Sequence, residues 1–306
     1  MCVDIYVYIY VCVYMWLCRR AIRVDSIFPI ILGQPSVGLR MPNHPVALAL
    51  IRLSGVPIAA PSANKSGRPS PTTADHVLTD LCDGIKGVVD GGACGIGVES
   101  TVVDCTDPRS DTVTILRPGG VSKEQLQTII PNVLLDPAIE QWGRQSNARQ
   151  SPDASSHFLH SQSEYVSKPA ESISSDSLVP RAPGMKYTHY APRAPVRIVD
   201  GPISLFQQAI FSLSARGEKV GVMCSVEHIP VLQDGASYTF ACGHNDDLDS
   251  VARDLYATLR KFDETDVTII LAESFSTSYI GHAVMNRLSK SAGHHIVRCI
   301  EDLGKV

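Results

Sequence analysis

The chain has 306 residues, a formal charge of −4 from 27 Lys and Arg against 31 Asp and Glu, and 44% apolar residues. That length holds two domains with separate cores, and the mildly acidic balance argues against a general nucleic-acid coat while leaving room for a local basic patch. Nine cysteines without C-x-x-C spacing and ten histidines without an H-E-x-x-H pattern point to a reducing compartment and away from a zinc site.

Met1 to Cys18 is almost wholly β-branched, aromatic and thiol residues. The run is short for a bilayer span, and Asp4 with Arg19 and Arg20 downstream is the wrong arrangement for a secretory signal. As a strand it is an aggregation hazard. Its Tyr, Val, Cys, Ile and Met codons are those of a TA/TG-rich simple repeat, so residues 1–30 read as an atypical segment of translated non-coding origin. Regular patterning then begins. Pro45 to Ser54 predicts a helix with proline in its first turn and Gly55 as its stop, and Val56 to Ala60 a buried strand. Thr72 or Thr73 can cap a helix running to about Cys82. Strands are predicted at Gly87 to Asp90, Thr101 to Cys105 and Thr112 to Arg117, and Ser122 to Gln125 reads as a capping box opening a helix to Ile130. Residues 31–134 thus form one mixed α/β domain. From Leu135 to Val179 the chain turns polar, and 135–195 reads as a flexible linker. Over 196–306 strands and helices alternate: Val196 to Val199, Ile203 to Ala215, Lys219 to Met223, Leu248 to Phe262, Val267 to Leu271, Tyr279 to Ser289 and a last strand near Ile296. Val251, Leu255, Leu259 and Phe262 recur at helical spacing and are assigned to the core. This alternation predicts a small doubly wound parallel sheet, and without G-x-G-x-x-G no dinucleotide is implied.

One loop stands out for chemistry. Pro61 to Pro71 gathers Ser62, Ser66 and Ser70 with Gly67 and Arg68, which suits an anion-binding loop in which Arg68 adds a forked donor. An ordinary Pro/Ser/Gly surface loop is the competing reading. Asn64 can shape that loop through an Asx turn. Glu99 can either coordinate Mg²⁺ or pair with a basic residue.

Four blocks, Ser36-Val37-Gly38-Leu39-Arg40, Val56 to Pro71, Gly91 to Asp104 and Ile115 to Gly120, resemble in order and spacing the YrdC-like threonylcarbamoyl-AMP synthases. Ala182 to Pro192, with Lys186-Tyr187-Thr188-His189-Tyr190, resembles the linker motif of that family's long, two-domain form. The resemblance implies an α/β protein: a YrdC-like twisted mixed sheet with helices, then a small Rossmann-like C-terminal domain. It implies synthesis of threonylcarbamoyl-AMP from ATP, L-threonine and bicarbonate for the tRNA threonylcarbamoyl-transfer machinery, with Mg²⁺ delivered by ATP, possible RNA binding, a cytoplasmic setting, though a mitochondrial one stays open, and no membrane. Threonine would meet Arg40, Ala60 and Ser100, the first through a bidentate guanidinium. ATP would meet Ser36, Ser62, Ser70 and Arg117. His189 and Tyr190 would belong to a lid over 182–192, or else staple the domains together. For Ser100 a strand-entry cap is the competing role. Two further family motifs, K-x-R and P-T-E-T-x-Y-G-L, have no counterpart. The implied catalytic domain therefore lacks about its first half, with a sheet edge and part of an apolar core open to water. An inactive homologue that only binds nucleotide, threonine or RNA is the alternative; a Rossmann-like oxidoreductase or transferase is a third, disfavoured by the missing glycine fingerprint.

Overall fold

In a computed structural model, residues 5–10, 36–40, 42–56, 58, 60–106, 111–137, 139 and 190–304 are described. The first sheet is mixed, in the order β2-β1-β3-β4-β5, from β1 (Ile5–Tyr10), β2 (Ser36–Arg40), β3 (Thr101–Asp104), β4 (Thr112–Arg117) and β5 (Asn132–Leu135). β1 runs antiparallel to β2, with Tyr6 opposite Arg40, and parallel to β3, with Val7 opposite Val103. Part of the segment set apart in the sequence thus supplies an interior strand, because an alternating β-branched and aromatic run fits a pleated ladder.

Local signals explain the helices. α1 (Pro45–Ser54) has proline in its first turn and ends at Gly55, whose φ of 65° is the left-handed conformation glycine tolerates. α2 (Ala74–Leu81) starts where the Thr73 side chain accepts from the His76 N–H. α3 (Lys123–Gln127) carries the full capping box of Ser122 and Gln125. Two expected strands are absent. Val56 and Ile58 are 56% and 44% exposed in irregular backbone, and residues 87–90 run as a loop with Val89 80% exposed. An apolar run becomes a strand only where a neighbour offers a ladder to join.

Among the described residues, Val103, Val113, Ile115, Leu126 and Val133, from β3, β4, β5 and α3, form a core cluster of this domain. No residue of α1 is buried, and Val46, Leu50 and Leu53, one face at helical spacing, stand exposed.

The second sheet is parallel throughout, in the order β10-β6-β9-β7-β8. Its elements in chain order are β6 (Val196–Val199), α4 (Ile203–Ala215), β7 (Val220–Cys224), α5 (Ile229–Leu232), β8 (Tyr238–Ala241), α6 (Leu248–Phe262), β9 (Ile269–Glu273), α7 (Gly281–Ser291) and β10 (Ile296–Val297). Two apolar layers sandwich it. Ile198, Met223, Ile270 and Ala272 face α6 and α7, while Val199, Val222, Ile269 and Leu271 face α4 and α5. Strands buried on both faces read as continuous apolar runs, which is why this half was legible in advance. Val251, Leu255, Leu259 and Phe262 of α6 are core, as their spacing predicts.

Both ends of the expected linker, 135–195, carry ordered contacts. Leu135 closes β5, Asp136 and Ile139 are buried, and Tyr190 onward packs on the second domain, while 141–189 lie outside the described residues. Among the described residues no helix is long and apolar enough to cross a membrane.

Cys224 and Cys242 are free and buried; burial, with Glu273 nearby, pushes the Cys224 thiol up to about 12, and the Cys242 thiol is raised for the same first reason. Cys82 is exposed. In native protein at pH 8, mass mapping after DTNB treatment is expected to find Cys82 modified and Cys224 and Cys242 protected until denaturant is added.

Candidate active site at the domain seam

Glu99 lies just before β3, where Gly119 packs so closely that a β-carbon on it would come within 2.3 Å of the Glu99 carbonyl oxygen. Its carboxylate points to the second domain. Arg287 of α7 donates from Nε to Glu99 Oε2 at 2.6 Å and from Nη2 to the Pro118 carbonyl at 2.9 Å, with its side chain fully buried. Tyr256 of α6 donates its hydroxyl to Glu99 at 3.0 Å, and Ser70 Oγ donates to Oε1 at 2.7 Å. Both carboxylate oxygens therefore accept hydrogen bonds, and Glu99 is paired with a basic residue, one of the two roles expected for it. Burial alone would raise this carboxyl, but the charges of Arg287 and Arg117 outweigh it and hold the group at about 2.

Arg117, at the end of β4, is buried and donates from Nη2 to the Ser100 carbonyl at 2.8 Å. Tyr190 covers the same place, its ring 5.3 Å from that of Tyr256 and 5.7 Å from the Arg287 guanidinium carbon. Its φ of 68° is unusual for an aromatic residue and is held by this packing.

Four of the expected site residues, Ser70, Ser100, Arg117 and Tyr190, thus meet around Glu99. Ser36 and Arg40 sit on β2, separated from β3 by β1, and Arg40 is exposed. Ala60 and Ser62 are exposed in the irregular run before Ser70. His189 lies outside the described residues. Arg68, expected as the loop's anion fork, has its guanidinium 2.9 Å from Asp263 at the end of α6. Asn64 holds the loop otherwise than by the expected Asx turn: its side-chain N–H₂ donates to the carbonyls of Lys65 and Arg68, while its Oδ1 accepts no hydrogen bond among the described residues.

The rest of the loop is gripped in the same manner. Arg260 of α6 donates to both oxygens of Asp80, at 2.6 and 3.3 Å, and to the Pro69 carbonyl at 2.5 Å. Burial opposes the charge on Asp80, yet the bonds and charge of Arg260 leave its carboxyl below the ordinary value. Gly97 fits against α6 so tightly that a β-carbon would meet the Ala252 carbonyl at 2.2 Å. Sequence reading missed Arg287, Tyr256 and Arg260. The available signal was a charged residue on helix faces otherwise apolar, such as Arg287 beside Val284 and Leu288.

A family described as "Threonylcarbamoyl-AMP synthase, C-terminal domain" matches residues 121–293, and one described as "Telomere recombination" matches residues 14–119. The latter begins inside the segment that the sequence reading set apart. The threonylcarbamoyl-AMP synthase of Bacillus subtilis is 42% identical over 277 residues, 90% of this chain and 69% of that protein. Those of Pyrococcus abyssi and Schizosaccharomyces pombe are 39% and 38% identical, with 87% and 85% of this chain aligned to 66% and 58% of theirs. The crystal structure of P. abyssi Sua5 complexed with L-threonine superposes with a TM-score of 0.68 at 33% identity, covering 96% of this chain and 81% of that one.

Replacing Arg287 by alanine leaves a buried carboxylate uncompensated, and chemical denaturation is expected to read a loss of about 3–5 kcal/mol. Because the folded Glu99 carboxyl lies at about 2 against an ordinary 4.5, its contribution is whole above pH 4.5 and disappears as the pH falls towards 2. Melting curves across that window should fall less steeply for Glu99→Gln than for the parent chain.

Proposed function

Because the chain belongs to the threonylcarbamoyl-AMP synthases, nucleotidyltransferases of tRNA threonylcarbamoyladenosine formation, in their two-domain form, we propose that it converts L-threonine, bicarbonate and ATP into threonylcarbamoyl-AMP and pyrophosphate. Threonine amine and bicarbonate give a carbamate and water; a carbamate oxygen then displaces pyrophosphate from the α-phosphorus of ATP. The work left to the protein is to hold three reactants in line and to balance the charge that moves onto pyrophosphate. The observation that carries this reading is the convergence of Ser70, Ser100, Arg117 and Tyr190 on one seam between two domains.

In this reading Arg40, Ala60 and Ser100 bind threonine, the ligand bound in the P. abyssi relative. Ser36, Ser62, Ser70 and Arg117 bind ATP, and Arg117 supplies its fixed positive charge to the phosphates. His189 and Tyr190 close over the reactants and keep water from the adenylate. Among the described residues no group of three or more His, Cys, Asp or Glu side chains is placed to build a metal cage, and Mg²⁺ is read as arriving on the nucleotide. The product would pass to the cytoplasmic machinery that transfers the threonylcarbamoyl group to tRNA.

A second reading is binding of ATP or threonine without turnover. It is favoured by the exposed apolar face of α1 on the domain that would hold the substrates. It also draws on the missing K-x-R and P-T-E-T-x-Y-G-L motifs.

Pyrophosphate release from ATP by the purified chain separates the two. The first reading expects release that requires both threonine and bicarbonate, and a fall of about 100-fold in kcat for Arg117→Ala. Binding of ATP or threonine with no release, beside an active B. subtilis control, would establish the second.

A further inference from the structure

Arg287 belongs to the second domain, yet its contacts run into the proposed nucleotide site. From one planar group it holds Glu99 Oε2, the Pro118 carbonyl and Asn286 Oδ1, while Tyr190 stacks near its face. Glu99 passes the constraint on, because its other oxygen accepts from Ser70 Oγ. Pro118 follows Arg117, which is itself tied to the Ser100 carbonyl. One side chain of α7 therefore fixes the loop end carrying Ser70 and the strand end carrying Arg117.

Domain docking alone does not require this reach. The pair of Arg260 and Asp80, side chains 6% and 3% exposed, already joins the same two domains. A lysine at 287 would keep the positive charge but could not hold Glu99 and Pro118 in one plane.

We infer that Arg287 is a positioning residue for the nucleotide site, acting through Glu99 on Ser70 and through Pro118 on Arg117, so that the C-terminal domain sets the geometry in which ATP is held. This rests on the reading of Ser70 and Arg117 as ATP-binding residues.

The test uses the full chain and a non-reacting nucleotide, α,β-methylene-ATP, titrated by calorimetry, with L-threonine titrated separately. Arg287→Lys is expected to weaken the nucleotide about tenfold while changing threonine affinity less than about twofold. Ile96→Ala serves as the docking control, because its apolar side chain packs on the core of the second domain: it should lower the melting temperature and leave nucleotide affinity within about twofold. Ser70→Ala combined with Arg287→Lys should cost little more than either alone, because the two act in series. Equal nucleotide loss in Ile96→Ala and Arg287→Lys, or fully additive losses in the double variant, overturns the inference and leaves the assignment of the ATP site standing. A parent chain that binds threonine but no nucleotide overturns the ATP-site assignment and the inference together.

Discussion

A guanidinium with no exposed surface and a carboxylate 2.6 Å from it, contributed by residues 188 positions apart, hold the two halves of this chain in one arrangement. Neither charge is tolerable there alone. Burial works against the Arg287 cation, and Glu99 reverses that and keeps it charged; burial works against the Glu99 anion, and Arg287 with Arg117 reverses that in turn. Tyr256 and Ser70 donate two further hydrogen bonds to the carboxylate, which stabilise its charge. Separating the domains would strand both charges, which makes their docking part of the fold.

The rest of the seam follows the same economy of charge. Arg260 takes both oxygens of Asp80 and a loop carbonyl, and Arg68 reaches Asp263. All three pairs bear on the segment from Lys65 to Ser70 or on its immediate supports. A loop rich in proline and serine has few apolar anchors of its own, so its order is imposed from the second domain. In that setting Gly97 and Gly119 allow backbone to approach backbone where a side chain would not fit.

Legibility in the sequence tracked how local the cause was. The capping box at Ser122, the stop at Gly55 and the apolar spacing of α6 act within a turn or two, and each stands where the residues predict it. The parallel sheet was equally clear, since strands covered on both faces need no partner identity to be recognised. The first sheet was not. Residues 87–90 have the composition of a strand and no ladder to join, whereas Ile5–Tyr10, dismissed for its composition, finds two neighbours. β5 and β8 are four-residue strands whose existence depends on an edge already being there.

The same division runs through the site. By itself the sequence determined the fold class, the two-domain order, the family motifs and the residue types around Ser70, Ser100, Arg117 and Tyr190, because each is written in contiguous residues. Only the tertiary structure decided that Glu99 pairs with Arg287 and that Arg68 reaches Asp263. A carboxylate or guanidinium carries the same chemistry wherever it stands in a chain. Which opposite charge it meets is set when two separately folded surfaces close and water leaves, and no local pattern records that partner.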